Sequence, residues 1–78
     1  MSTLRDKFAQ RLRKIRLEKG ISQQQLSRQA GFDRTYVGKI EREGKSPSLD
    51  AIEKIAEELG VSPVELFDFE DQTDEPDG

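Results

Sequence analysis

Apolar residues recur every three or four positions through the first half of the chain, and the phase resets at each glycine. Leu4, Phe8, Leu12 and Ile15 share one helical stripe, while Arg5, Lys7, Arg11, Arg13 and Lys14 occupy other faces. This predicts an amphipathic first helix from Leu4 to Lys19, ended by Gly20. Ser22 with Gln25 three residues on forms a capping-box arrangement and opens a second helix, with Leu26 and Ala30 inside and Gly31 at its end. Asp33 is placed to cap a third helix running through Val37 and Ile40 to about Glu43, before a Gly44-Lys45-Ser46-Pro47 loop. Ser48 caps a fourth, in which Leu49, Ile52, Ile55, Ala56 and Leu59 make an inward stripe that stops at Gly60. Ser62-Pro63-Val64-Glu65 opens a fifth, with a capping serine, proline at the first helical position and glutamate three residues after the cap. No alternating strand pattern or hairpin signal occurs, so the expected class is all-α, five short helices in one compact domain.

Composition narrows the picture. Seventy-eight residues supply one small core, and with 37% charged against 32% hydrophobic residues the fold must lean on well-formed helix ends. The last eleven residues, DFEDQTDEPDG, hold six acids and one large apolar side chain, Phe69. Such a segment cannot bury enough surface to offset its chain entropy, so residues 1–67 are expected to form the domain and 68–78 a disordered acidic tail. With no cysteine and no histidine, a disulfide scaffold, a thiolate zinc site, a cysteine nucleophile and the usual general base are all excluded. There is no phosphate-cradling glycine loop either, so no enzyme, metal or cofactor is expected. MSTLRDKFAQRLRKIR contains no apolar run of the secretory kind, and nothing approaches membrane-spanning length, which points to a cytoplasmic protein.

The net charge of −3 conceals a division. Residues 1–45 carry twelve Lys/Arg against five acids; residues 46–78 carry one lysine against eleven acids. A polyanion responds to the local field rather than the average, so the first half is a candidate face for nucleic acid.

Two short helices joined by a tight glycine-containing turn make the helix-turn-helix plan, and residues 22–43 fit it. Gly31 permits the positive φ the turn needs, and Ser27 is small enough to sit where the helices approach. A generic helical corner would account for those residues equally well. It would not account for Arg34, Thr35, Gly38, Lys39 and Arg42 on the outward side of the third helix, most of them suited to bases or phosphates. Gly38 costs up to about 1 kcal/mol relative to alanine inside a helix, so it needs a reason, either close DNA approach or tight packing.

Arg13-Lys14-Ile15-Arg16, Ser22-Gln23-Gln24-Gln25-Leu26, Gly31, Tyr36-Val37, Ile40-Glu41-Arg42, Pro47-Ser48-Leu49 and Leu59-Gly60-Val61-Ser62 together resemble the phage-repressor-like, or xenobiotic-response-element-type, helix-turn-helix family. The resemblance runs from about Phe8 to Phe67. Asp33-Arg34-Thr35-Tyr36-Val37 followed by Ile40-Glu41-Arg42 is most similar to the small controller proteins of restriction–modification systems. Ser27 departs from the alanine usual in the broader family, and the long acidic tail is not a family requirement.

The resemblance implies a lambda-repressor-like DNA-binding domain whose recognition helix, about residues 33–43, enters the major groove. It places Gln23 at the start of the second helix, as a phosphate contact. Arg34 can donate two bonds to guanine, with a phosphate clamp or a pairing with Asp33 the alternative; Thr35 can offer a hydroxyl or a methyl to a base, and Lys39 can reach a base edge or a phosphate. Tyr36, Arg42, Lys45 and Ser46 are the further phosphate candidates, with core packing the alternative for Tyr36. Arg16 and Glu41 align with a partly buried structural ion pair. One domain reads few bases, so a homodimer on a two-fold-symmetric operator is expected, with Val64, Phe67 and Phe69 shared between subunits. Double-stranded DNA is the expected partner of a transcriptional regulator; RNA polymerase or a small protein is a second candidate. The other functional class is an antitoxin-like protein that binds a partner and its own promoter, for which the acidic second half is the best support.

Overall fold

The computed structural model describes residues 2–69, and within them the only regular elements are helical. Helix α1 spans Leu4–Glu18 and begins in a complete capping box: Thr3 Oγ1 accepts from Asp6 N–H at 3.1 Å, and Asp6 Oδ2 accepts from Thr3 N–H at 3.3 Å. Helix α2, Gln23–Gln29, starts at Ser22, whose hydroxyl accepts from Gln25 N–H. Helix α3 covers Tyr36–Glu43 and α4 covers Leu49–Leu59.

These helices surround one core made of Phe8, Leu12 and Ile15 from α1, Leu26 from α2, Val37 and Ile40 from α3, and Ile52, Ile55 and Leu59 from α4. Each such side chain contributes about 1.5–3 kcal/mol on burial, which is why three helices of seven to eleven residues persist here although none would be stable alone. Helix α2 packs on α3 and α4, while α1 lies against α3 and the C-terminal segment.

The structure departs from three of the sequence expectations. The expected fifth helix is a five-residue 3₁₀ turn, Pro63–Phe67, so the described residues hold four α-helices. The Ser62–Glu65 capping box does form, but Glu65 N–H bonds Ser62 O and Asp68 N–H bonds Glu65 O, the i→i+3 pattern. This tight winding drives Leu66 into full burial against the core. Helix α3 also begins later than expected, at Tyr36, because Asp33 spends its carboxylate on a turn: Oδ1 accepts from both Thr35 N–H and Thr35 Oγ1–H at 2.7 Å.

Leu49, expected inside, is 83% exposed, since the first residue of α4 projects beyond the core it leads into. In the tail, Asp68 ends the 3₁₀ turn and Phe69 is half-buried with its ring 6.2 Å from that of Phe67. The remainder of the expected disordered tail, residues 70–78, lies outside the described residues.

Candidate nucleic-acid interface

Helix α2, the turn and α3 form a rigid corner, and its construction explains several of the residue choices. Gly31 adopts φ of 87°, the left-handed conformation that lets the chain leave α2 while Phe32 N–H still bonds Ser27 O. Ser27 is fully buried between the two helices. Its hydroxyl donates to Gln23 O at 2.8 Å and accepts from Val37 N–H at 2.9 Å. Thr35, the residue preceding α3, makes no side-chain cap, so a serine from the neighbouring helix satisfies one of the free amides of the first turn. Where alanine would only pack, Ser27 fastens the start of α3 to α2.

A second set of bonds ties the far end of α3 to α1. Arg16 grips Glu41 with two parallel bonds, Nε to Oε2 at 2.8 Å and Nη2 to Oε1 at 2.9 Å, and Arg16 Nη1 donates to Ile21 O. The side chains are only 8% and 1% exposed, respectively. Glu41 Oε1 also accepts from Gln23 Nε2 at 2.9 Å, and Gln23 Oε1 accepts from Arg42 Nη1 at 3.3 Å. The Gln23 carboxamide is thus held at both ends by protein groups.

Arg34, Thr35 and Lys39 are exposed on the side of the corner away from Val37 and Ile40. Because α3 starts at Tyr36, Arg34 and Thr35 stand in the turn leading into it, and only Lys39 projects from the helix itself. Thr35 already gives its hydroxyl proton to Asp33, so the exposed side chain has only its methyl and an accepting oxygen left to offer. Those two bonds, the Thr35 backbone N–H first and its hydroxyl second, hold the Asp33 carboxyl below its ordinary range. Tyr36 is half-buried and stacks on Phe32, with ring centroids 4.2 Å apart; burial raises its phenol pKa, so the hydroxyl stays a donor at neutral pH. Lys45 Nζ lies 5.6 Å from the Tyr36 ring centre. Arg42, Lys45 and Ser46 are exposed beside one another.

Residues 12–66 match the helix-turn-helix family. The control protein C.BamHI of Bacillus amyloliquefaciens is 48% identical over 63 residues, spanning 80% of this chain and 78% of that protein. The chain belongs to the helix-turn-helix transcriptional regulators. Among solved relatives of this helix-turn-helix chain, the restriction–modification controller protein C.AhdI from Aeromonas hydrophila superposes with a TM-score of 0.77 at 48% identity, covering 81% of this chain and 96% of that one. The controller C.Esp1396I, solved bound to a 25 base pair operator site, gives 0.76 at 39% identity, covering 86% and 88%.

Three features of this helix-turn-helix chain are not legible in its residue spacing: a cation near the loop after α3, a bond inside the corner and an apolar groove away from it. Arg5 on α1 reaches across to donate to Ser46 Oγ at 3.5 Å, adding a cation to the loop after α3. The Ser27 hydroxyl was read as merely small, although a buried polar atom at a helix crossing signals a bond to be found. Leu49 and Leu4, at 83% and 62% exposure, flank a groove of about 360 Å³ that Phe8, Ile52 and Phe67 also line. Phe67, which lines that groove, is 38% exposed, and Val64 on the 3₁₀ turn is 74% exposed. No helix among the described residues is long and apolar enough to cross a membrane.

Proposed function

We propose that the chain binds a two-fold-symmetric operator as a homodimer, laying α3 and the turn before it in the major groove. The observation that carries this reading is the outward edge of the corner, where Arg34, Thr35, Lys39 and Arg42 stand exposed while Val37 and Ile40 anchor the same segment in the core. Arg34 reads guanine through its fork, Thr35 presents its methyl to thymine, and Lys39 takes a base edge or phosphate. Arg42, Lys45 and the Tyr36 hydroxyl contact the backbone, with Ser46 at the loop and Gln23 behind them. The operator complex of the C.Esp1396I relative supports DNA as the partner, and the restriction–modification controller C.AhdI supports restriction–modification genes as the target.

The dimer face of this reading joins Val64, Phe67 and Phe69 to Leu4 and Leu49; Leu4, Leu49 and Val64 are well exposed, while Phe67 also rests against core Phe8 and Phe69 is half-buried. Two subunits extend the sequence read and match an operator with two half-sites.

The test is a titration of purified protein, wild type and Arg34→Ala, against DNA from its own promoter at two salt concentrations with nonspecific competitor. A competitor-resistant, salt-sensitive complex with dimer stoichiometry, whose sequence preference Arg34→Ala abolishes, is the expected result. Binding that is equally weak on every fragment would overturn it.

A further inference from the structure

Gly38 is a glycine that its backbone does not require. It sits within α3 and is absent from the positive-φ glycines, so its conformation is one that alanine adopts readily. Nor does it make room for the apolar core. The nearest atoms a Cβ at this position would meet are Arg42 Nη2 at 2.8 Å, Gln23 Oε1 at 3.1 Å and Arg42 Cζ at 3.3 Å. The space is therefore occupied by the ends of two polar side chains, one of them the cation nearest the end of the recognition helix.

Those two ends are not placed at random. Arg42 and Gln23 bond each other across Gly38 at 3.3 Å. Gln23 is itself oriented by Glu41, which can accept only from its amide nitrogen, so the carboxamide oxygen must face Arg42. Glu41 is in turn clamped by Arg16. A free arginine has rotamer freedom to lose when it takes up a phosphate, and here part of that loss is already made in the folded protein. The bond between Arg42 and Gln23 is exposed and weak in itself; its effect is to set direction.

The geometry points to Gly38 as a positioning residue for DNA binding: its missing side chain seats the Arg42 guanidinium on Gln23 and presents it, preordered by the Arg16–Glu41 pair, to a backbone phosphate. This rests on the operator-binding reading given above and adds to it a residue that touches no DNA. Replacing Gly38 with alanine leaves the fold intact, because the closest atom in the way, at 2.8 Å, is the movable end of the exposed Arg42, and the Gln23 oxygen at 3.1 Å need give only slightly, but it pushes Arg42 off its seat.

The experiment compares wild type, Gly38→Ala, Arg42→Ala and the double variant on promoter DNA, with melting curves and side-chain NMR of the free proteins. Gly38→Ala is expected to melt at the same temperature or a few degrees higher, as glycine-to-alanine changes in helices do. The Arg42 Nε–H and Gln23 amide resonances of the free variant should shift. Operator affinity should fall roughly tenfold in Arg42→Ala, with the salt slope lower by about one, and severalfold, short of that loss, in Gly38→Ala. Adding Gly38→Ala to Arg42→Ala should then cost nothing further.

A further loss of the same size in the double variant would overturn the proposal, since the added methyl would then be meeting DNA directly. Unmoved Arg42 and Gln23 resonances in free Gly38→Ala would overturn it without reference to DNA. Failure of wild type to form any competitor-resistant complex would instead sink the operator-binding reading, so the two failures are told apart.

Discussion

Helix α4 carries its own start and stop, whereas α3 borrows its start from another helix. Ser48 Oγ accepts from Ala51 N–H at 3.1 Å at the head of α4, and Gly60 closes the other end. Five residues of α4 are buried, so its local signals and its packing agree. Helix α3 has eight residues, no cap from Thr35, and only Val37 and Ile40 as large buried side chains. Its first turn is held by Ser27 of α2 and its last by the clamp of Arg16 of α1 on Glu41. The helix proposed to enter the major groove is thus the one whose position is set from outside. Its exposed face carries Lys39 and Arg42, with Arg34 in the turn before it, and the residues that fix it are polar groups buried behind that face.

Removing those external holds should damage α3 in a graded way. Arg16→Ala leaves the Glu41 carboxylate buried and unpaired, and should cost about 3–5 kcal/mol, a large part of the stability of a domain this small. Chemical denaturation measures this; a midpoint unchanged from wild type would show that the clamp does not hold α3. Ser27→Ala strips the Val37 amide of its acceptor in a buried setting and should cost about 1–3 kcal/mol. Ser48→Ala, which removes a cap at an exposed helix end, should cost about 1 kcal/mol. The order matters more than either value: if the Ser48 change proved the more costly, the contrast between a borrowed and a self-made helix start would fail.

The smallest effect is expected at Asp33, which orders the turn ahead of α3 from the surface. Its folded pKa lies below the ordinary 3.8 because Thr35 donates two bonds to the carboxylate. The stabilisation is therefore present above that ordinary value and lost as pH falls through the lower, folded one. Asp33→Asn should accordingly flatten the loss of melting temperature on acidification below about pH 4, with little change at neutral pH. Parallel pH profiles for the variant and wild type would rule this out.

Local signals in the chain were legible where a residue and its partner lie within one turn. Ser22, Ser48 and Ser62 act as caps, and Phe8, Leu12, Ile15, Ile52 and Ile55 are core, because capping and amphipathic spacing are relations over three or four residues. The same logic misjudged Leu49: periodicity identifies a stripe but not the point where the core beneath it ends. The exposure of Arg34, Thr35 and Lys39 was readable from the helix-turn-helix spacing. The engagement of Gln23 by Glu41 and Arg42 was not, since those partners lie 18 and 19 residues away.

Helix count through α4, the identity of the main core residues and the basic character of the first half follow from residue order alone, since each depends on neighbours along the chain. Packing decided the rest. It wound Pro63–Phe67 as a 3₁₀ turn to seat Leu66, delayed α3 to Tyr36, and gave Ser27 a partner ten residues on. It also brought Arg5 to Ser46 across 41 residues and folded Arg42 over Gly38. Those outcomes depend on which surfaces meet, and side-chain spacing along one helix carries no information about the helix that will lie against it.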